Sequence, residues 1–81
     1  MNTNLSKYAN AFIESFGVEE SQLNQLKYQD ISEWDSVGHM NLMNTLEETF
    51  NVEMDIDDII DFSSFEKGKE ILMKYNVNFN E

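Results

Sequence analysis

Trp34-Asp35-Ser36-Val37-Gly38-His39-Met40, running on through Asn41-Leu42-Met43-Asn44-Thr45-Leu46-Glu47-Glu48-Thr49-Phe50, is the stretch that decides the fold. Aspartate is a favoured N-cap, because its carboxylate accepts an amide of the first turn that the helix itself leaves unpaired. The residues from Ser36 to about Asn51 are almost all compatible with a helix. With Ser36 at zero and about 100° per residue, Leu42, Met43, Leu46 and Phe50 fall between about 240° and 340°, which is the core face. Val37 and Met40 fall at about 100° and 40°, on the side of Ser36 together with Asn44, Glu47 and Glu48. The spacing therefore predicts an amphipathic helix with a serine hydroxyl in its first turn, two exposed apolar neighbours and carboxylates beyond them. Free amides and the positive end of the helix dipole would stabilise a phosphate ester on Ser36. His39, near 300° by the same arithmetic, is expected as a partly buried, hydrogen-bonded residue at the mouth of the core.

Working outward, Leu5, Tyr8, Ala9, Phe12, Ile13 and Phe16 share one narrow sector, so Thr3 to Phe16 reads as an amphipathic helix ended by Gly17. Val18 to Trp34 lacks sustained periodicity and reads as a long loop pinned by Leu23, Leu26, Tyr28, Ile31 and Trp34, with a short helical turn over Glu20 to Leu26. After Val52-Glu53-Met54, the acidic segment Asp55 to Asp61 reads as a short helix with Ile56, Ile59 and Ile60 inward. Ser63 and Glu66 have capping-box spacing, and Phe65, Gly68, Ile71, Leu72 and Tyr75 share a face, which predicts a last helix ending near Tyr75. The tail, 76–81, is expected to fray. There is no proline and no useful period-two alternation, so the fold class is all-α: a small bundle of three main helices plus one short helix, with a long first loop.

Composition narrows the function. The 81 residues are read as one small domain, 1–81. Without cysteine there is neither a disulfide nor a thiolate site, so thiol chemistry must come from an added group. The polar start of the chain, Met1 to Lys7, lacks the apolar core of a signal peptide, and no apolar run approaches spanning length. A cytoplasmic monomer is expected. The net charge of −11 repels nucleic acid and anionic lipid and favours basic protein surfaces. Between Asp30 and Asp61 there are carboxylates but no lysine, and Ser36 lies inside that acidic half.

Asp35-Ser36-Val37, followed by Leu42, Met43, Leu46-Glu47-Glu48 and Phe50, resembles the modification-site helix of acyl carrier proteins and of the related peptidyl and D-alanyl carriers. The resemblance extends to the helix lengths, the long first loop and the acidic balance. It implies that Ser36 carries 4′-phosphopantetheine taken from coenzyme A, and that Asp35 orients the helix start. It implies further that a phosphopantetheinyl transferase, an acyl- or aminoacyl-activating ligase and acyl-transferring enzymes dock through basic patches. Val37, Met40, Asn44, Glu47 and Glu48 would then form the docking face. Two departures, Val37 for the usual leucine and Asn41 at a position often acidic in fatty-acid carriers, point to a specialised biosynthetic pathway. The aromatic bulk of Phe12, Phe16, Phe50, Phe62 and Phe65 favours short acyl or aminoacyl thioesters as cargo.

Other readings use the same features. An aminoacyl or D-alanyl carrier shares the modification and differs in its activating enzyme. An unmodified acidic interaction module uses the charge and the apolar face without Ser36. Autonomous serine hydrolysis needs a base, an orienting group and an oxyanion hole, whereas the chain offers His39 alone, three residues from Ser36. Asp55, Asp57 and Glu66 mimic parts of a calcium loop, but Ile59 and Ile60 stand where a ligand and the turn glycine are required, so no metal site is expected.

Overall fold

The computed structural model describes residues 3–79 of the chain. Helix α1 runs Thr3–Phe16 and ends at Gly17, whose φ of +69° is the left-handed turn that glycine adopts without steric cost. A short 3-10 helix, Glu20–Gln25, interrupts the long loop. Helix α2 follows over Ser36–Phe50, the short α3 over Ile56–Asp61, and α4 over Phe65–Met73. Among the described residues there is no strand, only an isolated antiparallel bridge between Lys27 and Ser64. The fold is the small all-α bundle that the periodicity predicts.

The core is aromatic. Tyr8, Phe12 and Phe16 of α1 meet Trp34 from the loop, Phe62 from the end of α3 and Phe65 from the start of α4, with Phe12 and Trp34 ring centroids 5.5 Å apart. Trp34 is completely buried and stacks on Phe16 at 5.3 Å, so the loop ends in the core immediately before α2 begins. Each such side chain contributes about 1.5–3 kcal/mol by leaving water. The Tyr8 hydroxyl donates to the Phe65 carbonyl at 2.7 Å, and burial, reinforced by the charge of Glu66, pushes its ionisation well above the ordinary phenol value. The loop is also tied by backbone: the Tyr28 amide donates to Ser63 O at 2.9 Å and the Phe65 amide to Leu26 O at 3.0 Å.

Three expectations are corrected by packing. Ile56 and Ile60 do not point inward; they are 66% and 71% exposed, and Ile59 is half-buried. The single buried residue of α3 is the polar Asp58. The cap of α4 is Ser64, which accepts the Lys67 amide at 2.9 Å; Ser63 forms no capping box, and Glu66 instead pairs with Lys69 at 3.1 Å. The tail does not fray over its described part, because after the left-handed Asn76 (φ 69°) it folds back and buries Val77 and Phe79. Phe79 packs on Tyr8, with centroids 5.3 Å apart, and residues 80–81 lie outside the described part.

Candidate functional site

The start of α2 is held from several sides. Asp35 has extended backbone and its Oδ1 accepts the Gly38 amide at 2.8 Å, while its carbonyl accepts the His39 amide at 2.7 Å. Ser36, the first helical residue, is exposed. Gly38 was not singled out from the sequence, yet it is structurally required. A Cβ there would lie on the backbone carbonyl oxygen of Glu33, so the absent side chain lets the loop press against the first turn.

His39 lies behind the serine, half-buried as expected. The Trp34 indole donates to its Nδ1 at 2.9 Å, and its Nε2 lies 2.8 Å from the Ile59 carbonyl oxygen. An indole N–H only donates and a carbonyl only accepts, so the ring is neutral with its proton on Nε2. Both ring nitrogens of His39 are thereby engaged within the chain, by Trp34 and by Ile59.

An apolar groove of about 370 Å³ opens between α2 and α3, with Ser36 in its lining. The exposed Met40, Ile56 and Ile60 form its rim, and the more buried His39, Ile59 and Phe62 form its floor. Tyr28 and Ser63 complete the lining. The sequence signal missed here was the pair Ile56 and Ile60: its wrong assignment to the core hid the second wall of a surface groove.

Helix α3 is held largely by polar contacts. Lys74 Nζ and the Tyr75 hydroxyl each donate to the Asp58 carboxylate at 2.5 Å, and the Asp55 amide donates to the Tyr75 oxygen at 2.9 Å. The hydrogen bonds from Lys74 and then Tyr75 hold Asp58 below the ordinary carboxylate range, and Asp58 correspondingly raises Lys74 and Tyr75. On the α2 side the fastening is the His39 to Ile59 hydrogen bond.

The structure places the other residues singled out from sequence at two kinds of position. Val37 and Met40 are exposed at 71% and 45% beside Ser36, and Asn44 and Glu48 are exposed further along the same helix. Glu47 is half-buried, and its Oε2 accepts the Met54 amide at 2.9 Å, fixing the segment that leads into α3. Among the described residues no cluster of three or more metal-ligating side chains exists, and no helix is long and apolar enough to cross a membrane. Compared with known proteins, the chain matches no family model, no curated protein and no solved structure.

Proposed function

We propose that this chain is a phosphopantetheine-dependent carrier, with the arm esterified to Ser36 and acyl or short acyl and aminoacyl groups carried on its thiol between partner enzymes. The observation that carries this reading is the exposed Ser36 hydroxyl, set on the first residue of a capped helix at the edge of an apolar groove of about 370 Å³. The residues fit the group: a phosphodiester on Ser36 sits where helix amides and dipole favour an anion, next to solvent and beside an apolar surface.

In the loading step the Ser36 oxygen bonds to the phosphorus that bears the pantetheine of coenzyme A. The bond from that phosphorus to the adenosine bisphosphate leaving group breaks. The serine proton passes to a base of a phosphopantetheinyl transferase, which also supplies magnesium, since both His39 nitrogens are engaged within the chain. The chain itself presents the hydroxyl and is not an enzyme. Its partners, that transferase together with activating ligases and acyl-transferring enzymes, dock basic patches on α2, where Val37 and Met40 supply apolar contact and Glu48 supplies charge. The cargo belongs to a specialised pathway rather than to bulk fatty-acid synthesis, since Val37 and Asn41 depart from the fatty-acid carriers that the helix resembles.

Intact mass after incubation with coenzyme A, magnesium and a promiscuous phosphopantetheinyl transferase tests the proposal, with Ser36→Ala as control. A single phosphopantetheine added to the native chain and absent in the variant is the expected result. No added mass on folded protein, with more than one transferase, would overturn it in favour of an unmodified acidic interaction module.

A further inference from the structure

Helix α3 has little apolar packing to hold it. It lies between two buried residues, Met54 before it and Phe62 after it, and Met54 is fixed further by its amide, which donates to Glu47 Oε2 at 2.9 Å. Between these anchors Ile56 and Ile60 are exposed and Ile59 is only half-buried. Six residues are also far below the length, about 12–15, at which a helix sustains itself in water. Its helical state therefore depends on what fastens it to the rest of the chain.

The fasteners are few and polar. On the α2 side, His39 Nε2 donates to the Ile59 carbonyl at 2.8 Å. On the other side, past the end of α4, the Tyr75 hydroxyl is the centre of a clasp: it donates to Asp58 Oδ2 and accepts the Asp55 amide, while Lys74 Nζ donates to Asp58 Oδ1. Both bonds to Asp58 run towards an ionised carboxylate, and a proton on it removes the charge that holds Lys74 and occupies an acceptor oxygen. Of the other charged groups around Asp58, Lys67 and Glu70 from α4 and Asp61 from α3 line the same cleft, and Lys67 favours the ionised form as Lys74 does. Lys74 and then Tyr75 hold the clasped carboxyl below its ordinary range, so an opened segment takes up a proton before a closed one as pH falls. Closure is complete above that range and weakens as pH falls through the lower value of the clasped state.

We propose that α3 is a clasped segment that opens and unwinds between Met54 and Phe62 while α1, α2 and α4 stay folded, and that acid releases it by protonating Asp58. Opening withdraws one wall of the groove beside Ser36 and frees the His39 N–H from Ile59. A clasp beyond α4 thus controls the surroundings of a serine on α2. The device belongs to the bare chain and operates whether or not Ser36 is modified.

Native-state hydrogen exchange of the full, unmodified chain, read at single amides by NMR, tests this. The Ile59 amide, bonded to the Asp55 carbonyl at 3.1 Å, reports α3, and the buried Phe12 and Leu46 report α1 and α2. At neutral pH Ile59 is expected to be protected less than Phe12 and Leu46, and its exchange to be insensitive to low urea while theirs responds. Tyr75→Phe keeps the ring and removes the hydroxyl, so protection at Ile59 should fall about tenfold, the size of one lost hydrogen bond to a charged group. Below the ordinary carboxylate range, protection at Ile59, corrected for the intrinsic effect of pH, should fall in the native chain and in Asp57→Asn, which alters an exposed carboxylate of the same helix. Asp58→Asn should abolish that dependence, with the chemical shifts of α1 and α2 unchanged. Three results would each overturn the proposal: Ile59 sharing the protection and urea response of Phe12 and Leu46, Ile59 unprotected in the native chain or unaffected by Tyr75→Phe, and an acid response that survives Asp58→Asn. None of these readouts involves loading Ser36, so their failure leaves the carrier reading intact.

Discussion

Trp34 and His39 are joined by a hydrogen bond from the indole Nε1 to the imidazole Nδ1 at 2.9 Å, with the two rings stacked at an interplanar angle of 17°. This bond sets the tautomer, and the tautomer sets the fold of the site, because the remaining N–H is directed at the Ile59 carbonyl of α3. One half-buried ring thus connects the end of the loop, the first turn of α2 and the far wall of the groove.

Replacing His39 by alanine leaves the indole N–H and the Ile59 carbonyl without partners and removes ring packing, so a loss of about 2–3 kcal/mol is expected. Phosphopantetheine addition to Ser36 should be unchanged at a temperature where the variant is folded. Urea unfolding together with intact mass checks both halves, and a loss of loading by folded protein would give His39 a role beyond structure.

The acid limb of stability is expected to report Asp58. Its carboxyl is held below the ordinary value of 3.8 in the folded chain, so the unfolded state binds protons first as pH falls. The contribution is fully present above that ordinary value and is lost as pH falls through the lower, folded value. Asp58→Asn should therefore flatten the fall of thermal midpoint with acidification over that range. An unchanged slope would show that the Lys74 and Tyr75 contacts do not persist in solution.

Gly38→Ala places a methyl group against the Glu33 carbonyl and should cost about 1–3 kcal/mol, the usual cost of overpacking. The collision is with backbone, so the loop must move to relieve it. Chemical shifts of Glu33 to Ser36 should respond, and a neutral effect on denaturation would mean that the loop stands further from α2.

Glu47→Lys and Glu48→Lys separate structure from steering. Reversal at Glu47 also removes the acceptor of the Met54 amide, so it should lower stability by about 1 kcal/mol as well as slow loading. Exposed Glu48 should leave stability unchanged and reduce the loading rate only at low salt. Loading rates across a salt series, beside thermal melts, check this; a salt-independent rate in both variants would remove the steering role.

Phe79→Ala should destabilise the chain by about 3 kcal/mol, because the ring is buried against Tyr8 and Phe50 rather than lying in a loose tail. Denaturant titration of this variant tests whether the end of the described chain belongs to the core.

What the sequence determined by itself was local. The Asp35 cap, the core face of α2 through Leu42, Met43 and Leu46, the exposure of Ser36, Val37 and Met40, and α1 with its Gly17 stop all follow from helical geometry acting over a few residues. His39 was also legible as half-buried, since its angle alone placed it at the edge of the core. Only the tertiary structure decided which side of α3 faces out. Six residues are too short for periodicity to choose, and the Asp58 contacts with Lys74 and Tyr75 turn Ile56 and Ile60 to the surface. It likewise decided the Ser64 cap, the need for Gly38 and the burial of Phe79, each set by a neighbour distant in sequence or by a backbone approach. The groove with Tyr28 and Ser63 in its lining belongs to this second class: its walls come from separate segments, and their meeting depends on the core that Trp34 closes.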